Sequence, residues 1–181
     1  MDDFRKSCLL VLMLGLMAQG VLSQESSTVI VQDMGYGYTL TAPKGWKPDQ
    51  KGAREMLLNA AFSPDSTSWS KSSVVIYANV TYKTDDDQAL EEVINLDIEH
   101  FTKDSPGVKA TKNKEILTFT QRKKATIYDF MNPAKKNFES VAYIDQGEIV
   151  IMIVMGTRDE KLFKAAKPDF ERLVLSYYWL N

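Results

Sequence analysis

The feature that most constrains the fold is a series of four strand-like runs in the second half of the chain, joined by short polar connections. The connections are only three to six residues long, and the runs are residues 115–120, 125–131, 138–144 and 148–155. Such lengths suit antiparallel neighbours, because a parallel crossover needs a dozen or more residues. Residues 149–155 are apolar on both faces, which predicts a central strand covered from both sides.

Apolar patterns earlier in the chain extend this sheet. Residues 74–82 alternate with period 2 and predict a strand, whereas the hydroxyl-rich residues 66–73 predict a loop. We expect a buried strand over residues 56–62 and a strand over residues 35–41 that ends before Trp46. Residues 29–31 are either a short strand or part of a flexible lead.

Two segments have the 3.6-residue period of helices. The first has its apolar stripe at Leu90, Val93, Ile94, Ile98 and Phe101. We expect the capping box of residues 84–87 to begin this helix and residues 105–107 to end it.

The second helical segment follows the capping box of residues 157–160, and Pro168 is expected to kink or break it. The fold class is therefore α+β: an antiparallel sheet of about six strands covered by helices on its faces, an α/β/α sandwich. We expect residues 24–181 to form a single domain.

The first 23 residues have the pattern of a secretory signal peptide. Arg5 and Lys6 precede an apolar run, and Val21 and Ser23 stand at the minus-three and minus-one positions before Gln24. Cleavage there predicts a periplasmic or secreted domain with no transmembrane segment. The alternative is an uncleaved anchor, although a spanning helix needs about 20 apolar residues. Cleavage also removes the chain's one cysteine, which excludes disulfides, thiol catalysis and thiolate metal sites from the mature domain.

Residues that carry catalysis or bind cofactors are scarce in this sequence. The single histidine, His100, lies beside the apolar stripe of the first helix, with Asp97 three residues before it. Asp85, Asp86 and Asp87 lack the spacing of a calcium loop and suit the positive end of a helix dipole. No nucleophile elbow, phosphate loop or dinucleotide fingerprint occurs. The sequence therefore predicts no catalytic residue, no cofactor and no metal site.

Charge is unevenly distributed along the chain. The formal net charge is −2, which gives no reason to expect nucleic-acid binding. Between residues 103 and 136, however, nine bases stand against three acids. The bases concentrate in two hairpin connections and form a candidate partner surface of Arg122, Lys123, Lys124, Lys135 and Lys136. Its partner would be an acidic protein or an anionic surface; the alternative is ordinary solvation of turns and protection of a sheet edge by lysine.

The order of elements resembles the PsbP-like superfamily, including the DcrB-type small periplasmic proteins of bacteria. The residues that carry the resemblance are 37–46, 87–90, 125–144 and 170–177, and the likeness covers most of residues 35–178. It implies an antiparallel sheet between helices and a binding or accessory role. No functional residue transfers, because the sequence contains no functional motif of the superfamily.

These observations favour a non-enzymatic, exported binding or accessory protein that acts through the basic hairpins and exposed aromatic residues such as Trp46 or Trp69. One alternative is a hydrolase that uses carboxylates and His100. The other is a carrier of a small apolar ligand, with a pocket between helix and sheet lined by Tyr77, Phe101 or Tyr128.

Overall fold

A computed structural model describes residues 27–85 and 87–180; the predicted signal peptide, Cys8 and Asp86 lie outside these ranges. Within them the chain forms three α-helices, which are α1 (Gln50–Glu55), α2 (Leu90–Asp104) and α3 (Glu160–Leu175). It also forms ten strands, which are β1 (Thr28–Asp33), β2 (Tyr36–Thr41), β3 (Trp46–Pro48), β4 (Ala60–Pro64), β5 (Val74–Tyr82), β6 (Lys109–Leu117), β7 (Lys124–Asn132), β8 (Asn137–Asp145), β9 (Ile149–Thr157) and β10 (Tyr178–Trp179).

Seven of the strands form one antiparallel sheet in the order β3-β4-β5-β9-β8-β7-β6. The predicted antiparallel sheet is therefore confirmed, and β9 lies at its centre between β5 and β8 as its apolar sequence requires. Because side chains alternate along a strand, Ile151 and Ile153 face one layer while Val150 and Val154 face the other. Helices α3 and α2 pack on these two faces and cover the sheet only partly.

The prediction of a single sheet of about six strands was wrong in one respect. β1, β2 and β10 form a separate three-stranded antiparallel sheet, which joins residues 28–41 to the end of the chain. Tyr38 of β2 is fully buried there, and its ring lies 5.7 Å from that of Tyr177. A two-residue strand such as β10 leaves no periodic signal, so the sequence pattern did not reveal this sheet.

Two strand boundaries differ from the sequence expectation. The strand expected over residues 56–62 begins only at Ala60, since Met56 caps the end of α1 and Leu57 has a φ of 56° and is exposed. The strand expected over residues 115–120 covers Lys109–Leu117 instead. It ends there because Thr118 N donates to Lys123 O at 2.9 Å and closes the turn into β7.

The helix boundaries also needed correction. The N-cap of α2 is Ala89 rather than a residue of the 84–87 box, and α3 is capped by Asp159, whose carboxylate accepts from Lys161 N and Leu162 N. Pro168 lies inside the continuous helix α3 and does not break it. Pro168 has no N–H to donate to the carbonyl of Lys164, and both residues are exposed, so water can hydrate that carbonyl instead. No helix in the described ranges is long and apolar enough to cross a membrane.

Candidate functional site

The two basic hairpin connections lie at opposite ends of β7. Arg122, Lys123 and Lys124 stand at its beginning, whereas Lys135 and Lys136 follow its end. At about 3.3 Å per residue, the nine-residue strand separates the two groups by roughly 26 Å. The structure therefore divides the candidate partner surface into two separate groups of bases. Lys124 is ion-paired with Glu115 at 3.6 Å.

An open groove of about 520 Å³ lies at the end of the sheet where β5 and β8 begin and β9 ends. Its floor and walls come from Val75 and Tyr77 on β5, Glu139 on β8, and Gly156 at the end of β9. The groove is also lined by Arg158 and Asn137, together with the hydroxyl-bearing residues Ser72, Ser73 and Thr157. We call this the Glu139 groove.

Strand register explains why the groove exists. Gly156 pairs with Val75 on one side and with Glu139 on the other, so the three residues form one row across the sheet. Gly156 contributes no side chain, and a Cβ there would lie 3.7 Å from the Glu139 Cγ. The missing side chain leaves open space on the sheet surface over the middle of the row, with Glu139 beside it.

The Glu139 carboxyl group is the chemically distinctive feature of the groove. Burial raises its pKa, while a hydrogen bond from Asn137 and the charge of Arg158 lower it. Asn137 Nδ2 donates to Glu139 Oε1 at 2.9 Å. Burial, together with the neighbouring charges of Glu139 and Asp97, raises the pKa of the Tyr77 hydroxyl to about 12. The groove therefore contains the half-buried carboxyl group of Glu139 with the phenol group of Tyr77 near it.

Tyr77 packs against Trp69 in the loop of residues 66–73, a contact that the sequence pattern did not reveal. The ring of Trp69 meets it edge-on, with 5.9 Å between centroids. Trp69 N donates to Asp49 Oδ2 at 2.8 Å, and Asp49 Oδ1 accepts from Gly52 N at 2.7 Å at the start of α1. These two contacts hold the loop of residues 66–73 against the edge of the sheet.

A second polar group lies between α2 and the sheet. The Tyr143 hydroxyl of β8 donates to the Asp97 carboxylate of α2. Burial raises the pKa of Asp97, and the hydrogen bond from Tyr143 and the charge of His100 lower it. His100 itself is exposed on α2. The geometry therefore places an exposed histidine near a half-buried carboxyl group outside the Glu139 groove.

The aromatic residues singled out from the sequence have different environments. Trp46 is buried in the main core, so the expectation that it is exposed was wrong. Phe101 packs on Phe130 at 4.8 Å, and Tyr128 packs on Tyr143 at 6.2 Å, so both contribute to the layer under α2. Of the three residues expected to line a ligand pocket, Tyr77 lines the groove.

Within the described ranges, no three His, Cys, Asp or Glu side chains come together as a metal site.

Comparison with known proteins supports the fold. The architecture is similar to that of the solution structure of cyanobacterial PsbP (CyanoP) from Synechocystis sp. PCC 6803, with a TM-score of 0.53 and 12% identity over 86% of this chain and 94% of that chain. It is also similar to a point mutant of the protein Mog1, with a TM-score of 0.50 and 14% identity over 84% and 95% of the two chains. The chain therefore has a PsbP-like fold. No protein-family model and no curated protein sequence matches it.

Proposed function

We propose that this protein is a non-enzymatic, exported binding protein of the DcrB type in the PsbP-like superfamily, and that its ligand binds in the Glu139 groove. The proposal combines the signal-peptide pattern of residues 1–23, the PsbP-like fold and the groove. Its location would be periplasmic or extracellular. Because one fold serves many functions, the groove rather than the fold carries the argument.

The observation that carries the proposal is the half-buried carboxyl group of Glu139. Keeping an acid in a partly desolvated position costs stability, and such costs concentrate at functional sites. Asn137 donates to Oε1, and among the described residues no hydrogen bond to Oε2 is present. An ammonium or guanidinium group of a ligand would supply a donor for this second oxygen and a compensating charge.

The rest of the groove narrows the ligand class. Arg158 is exposed, and within the described ranges it forms no ion pair, so its guanidinium is free to bind an anionic group. Tyr77 offers an aromatic face on which a cation or an apolar chain packs favourably. A small ligand with both a cationic and an anionic group, such as an amino acid or a short peptide, matches these features.

The test is binding of amino acids and short peptides to the purified protein, measured by NMR titration and by native mass spectrometry of protein prepared without detergent. We expect shifts at groove residues and binding that Glu139→Gln weakens at least tenfold. The matched control is Glu99→Gln, which makes the same change at an exposed site on α2 and should bind like the wild type. Equal binding by Glu139→Gln would exclude the groove as the site, and no binding of any zwitterion would exclude the ligand class.

A further inference from the structure

The opposite end of the sheet from the Glu139 groove contains a second groove, of about 430 Å³. It lies where the β1–β2 turn, the end of β5 and the β8–β9 turn meet, next to β10. Met34 and Tyr82, which line it, are 93% and 64% exposed, and Trp179 lies beside them. A cluster of large, solvent-exposed apolar side chains is typical of a surface that binds a partner. We call this the Tyr82 groove.

The surroundings of the Tyr82 groove are acidic. Glu148 lines it, Asp33 precedes Met34, and Asp85 follows the end of β5, and all three are exposed. Lys83 also lies here, but its ammonium group is ion-paired with Asp145 at 2.9 Å and its side chain is only 5% exposed. The groove therefore offers negative charge around an apolar floor.

A basic loop lies beside the Tyr82 groove at the same end of the sheet. This loop, residues 118–123, leads into β7, whose residue Ala125 pairs with Ile144 just before the β8–β9 turn. Arg122 and Lys123 form no ion pair within the described ranges, and Phe119 is 66% exposed. The loop thus carries positive charge and an exposed aromatic side chain, the complement of the acidic, apolar groove.

Trp179 connects the groove and the loop. Gln121 Nε2 donates to Trp179 O at 3.0 Å, and Trp179 N donates to Gln121 Oε1 at 2.7 Å, while Trp179 also lines the groove. Phe119 N donates to Leu175 O at 2.8 Å and holds the loop against the end of α3. The acidic groove and the basic loop are therefore adjacent parts of one surface.

We propose that this surface binds a second copy of the chain around a two-fold axis near Trp179. A patch that carries opposite charges on its two sides is self-complementary under a two-fold rotation, because each half then meets its opposite. The loop of each copy would contact the Tyr82 groove of the other, with Phe119 against Met34 and Tyr82. Arg122 and Lys123 would face Glu148 and Asp85 of the second copy. This proposal uses the end of the sheet opposite the Glu139 groove and is independent of the function proposed for it.

The test compares two charge-reversed variants by sedimentation velocity and light scattering of purified protein over a range of concentrations. One variant is Asp85→Lys/Glu148→Lys, and the other is Arg122→Glu/Lys123→Glu. We expect the wild type to dimerise, each variant alone to be monomeric, and an equimolar mixture of the two to dimerise again. In the mixture both contacts pair opposite charges once more, and dimerisation should weaken as salt screens them.

Lys135→Glu/Lys136→Glu is the matched control. It reverses the same number of bases in a turn that also contains a residue in the left-handed conformation, but at the other end of β7. This variant should dimerise like the wild type. A monomeric wild type at every concentration would overturn the proposal, as would charge-reversed variants that still dimerise alone or a mixture that stays monomeric.

Discussion

Gly52 in α1 provides a sharp test of how the groove is supported. In an ordinary helix interior, replacing Gly by Ala stabilises by about 1 kcal/mol. Here the added Cβ would lie 2.6 Å from the Trp69 Cβ and 2.8 Å from its Cγ. Asp49 holds the Trp69 backbone in place, so Trp69 has little freedom to move away.

Overpacking of this kind costs about 1–3 kcal/mol, which exceeds the gain in helix propensity. We therefore expect Gly52→Ala to lower the free energy of unfolding by about 1 kcal/mol, measured by urea denaturation. Trp69 should also shift against Tyr77, which near-ultraviolet circular dichroism would report.

The same substitution in a Trp69→Gly background supplies the control. That background removes the atoms with which the new methyl group collides, so Gly52→Ala should now stabilise by up to about 1 kcal/mol. The reasoning would be refuted if Gly52→Ala stabilised the wild type, or if its effect had the same sign in both backgrounds.

Three further predictions concern charged residues. Asp129→Ala should lower the free energy of unfolding by about 3 kcal/mol in chemical denaturation, because the 2.6 Å ion pair between Asp129 and Lys167 is largely buried. The control is Glu160→Gln, which removes an exposed ion pair with Lys164 and should lower the free energy of unfolding by less than about 1 kcal/mol. Burial raises the pKa of Glu139, so its ionisation opposes folding. Glu139→Gln should therefore have a higher free energy of unfolding than the wild type at pH 7. This difference should shrink as the pH falls through the raised pKa of Glu139. A difference that does not change with pH would contradict the prediction. His100→Ala should keep the wild-type melting temperature, because His100 is exposed. If the wild type has a hydrolytic activity and this variant loses it, the alternative of a hydrolase that uses His100 would be favoured instead.

Local patterns predicted most of the large sheet. Residues 74–82 were expected to form a strand and do, and β7, β8 and β9 begin and end within two residues of the expected bounds. These strands are long and alternate regularly, and their connections are short. Each condition is a local property of the chain, so it could be read without knowing which strands pair.

The candidate site was not predictable in the same way. Glu139 lies in a run that was expected to be a strand, yet nothing near it in sequence indicates that Gly156 and Val75 lie in the same row. Likewise, the short connections on either side of β7 suggested one basic surface, whereas a nine-residue strand separates them. Both facts depend on register and on the length of a strand rather than on its composition.

The sequence by itself determined the antiparallel class of the sheet, the central place of β9 and the positions of the two long helices. These follow from hydrophobic period and connection length, which act over a few residues. The tertiary structure decided the three-stranded sheet with β10, the support of Tyr77 by Trp69, and the two grooves at opposite ends of the large sheet. Each of these joins segments far apart in the chain, and the free energy that holds them together comes from packing that no local pattern records.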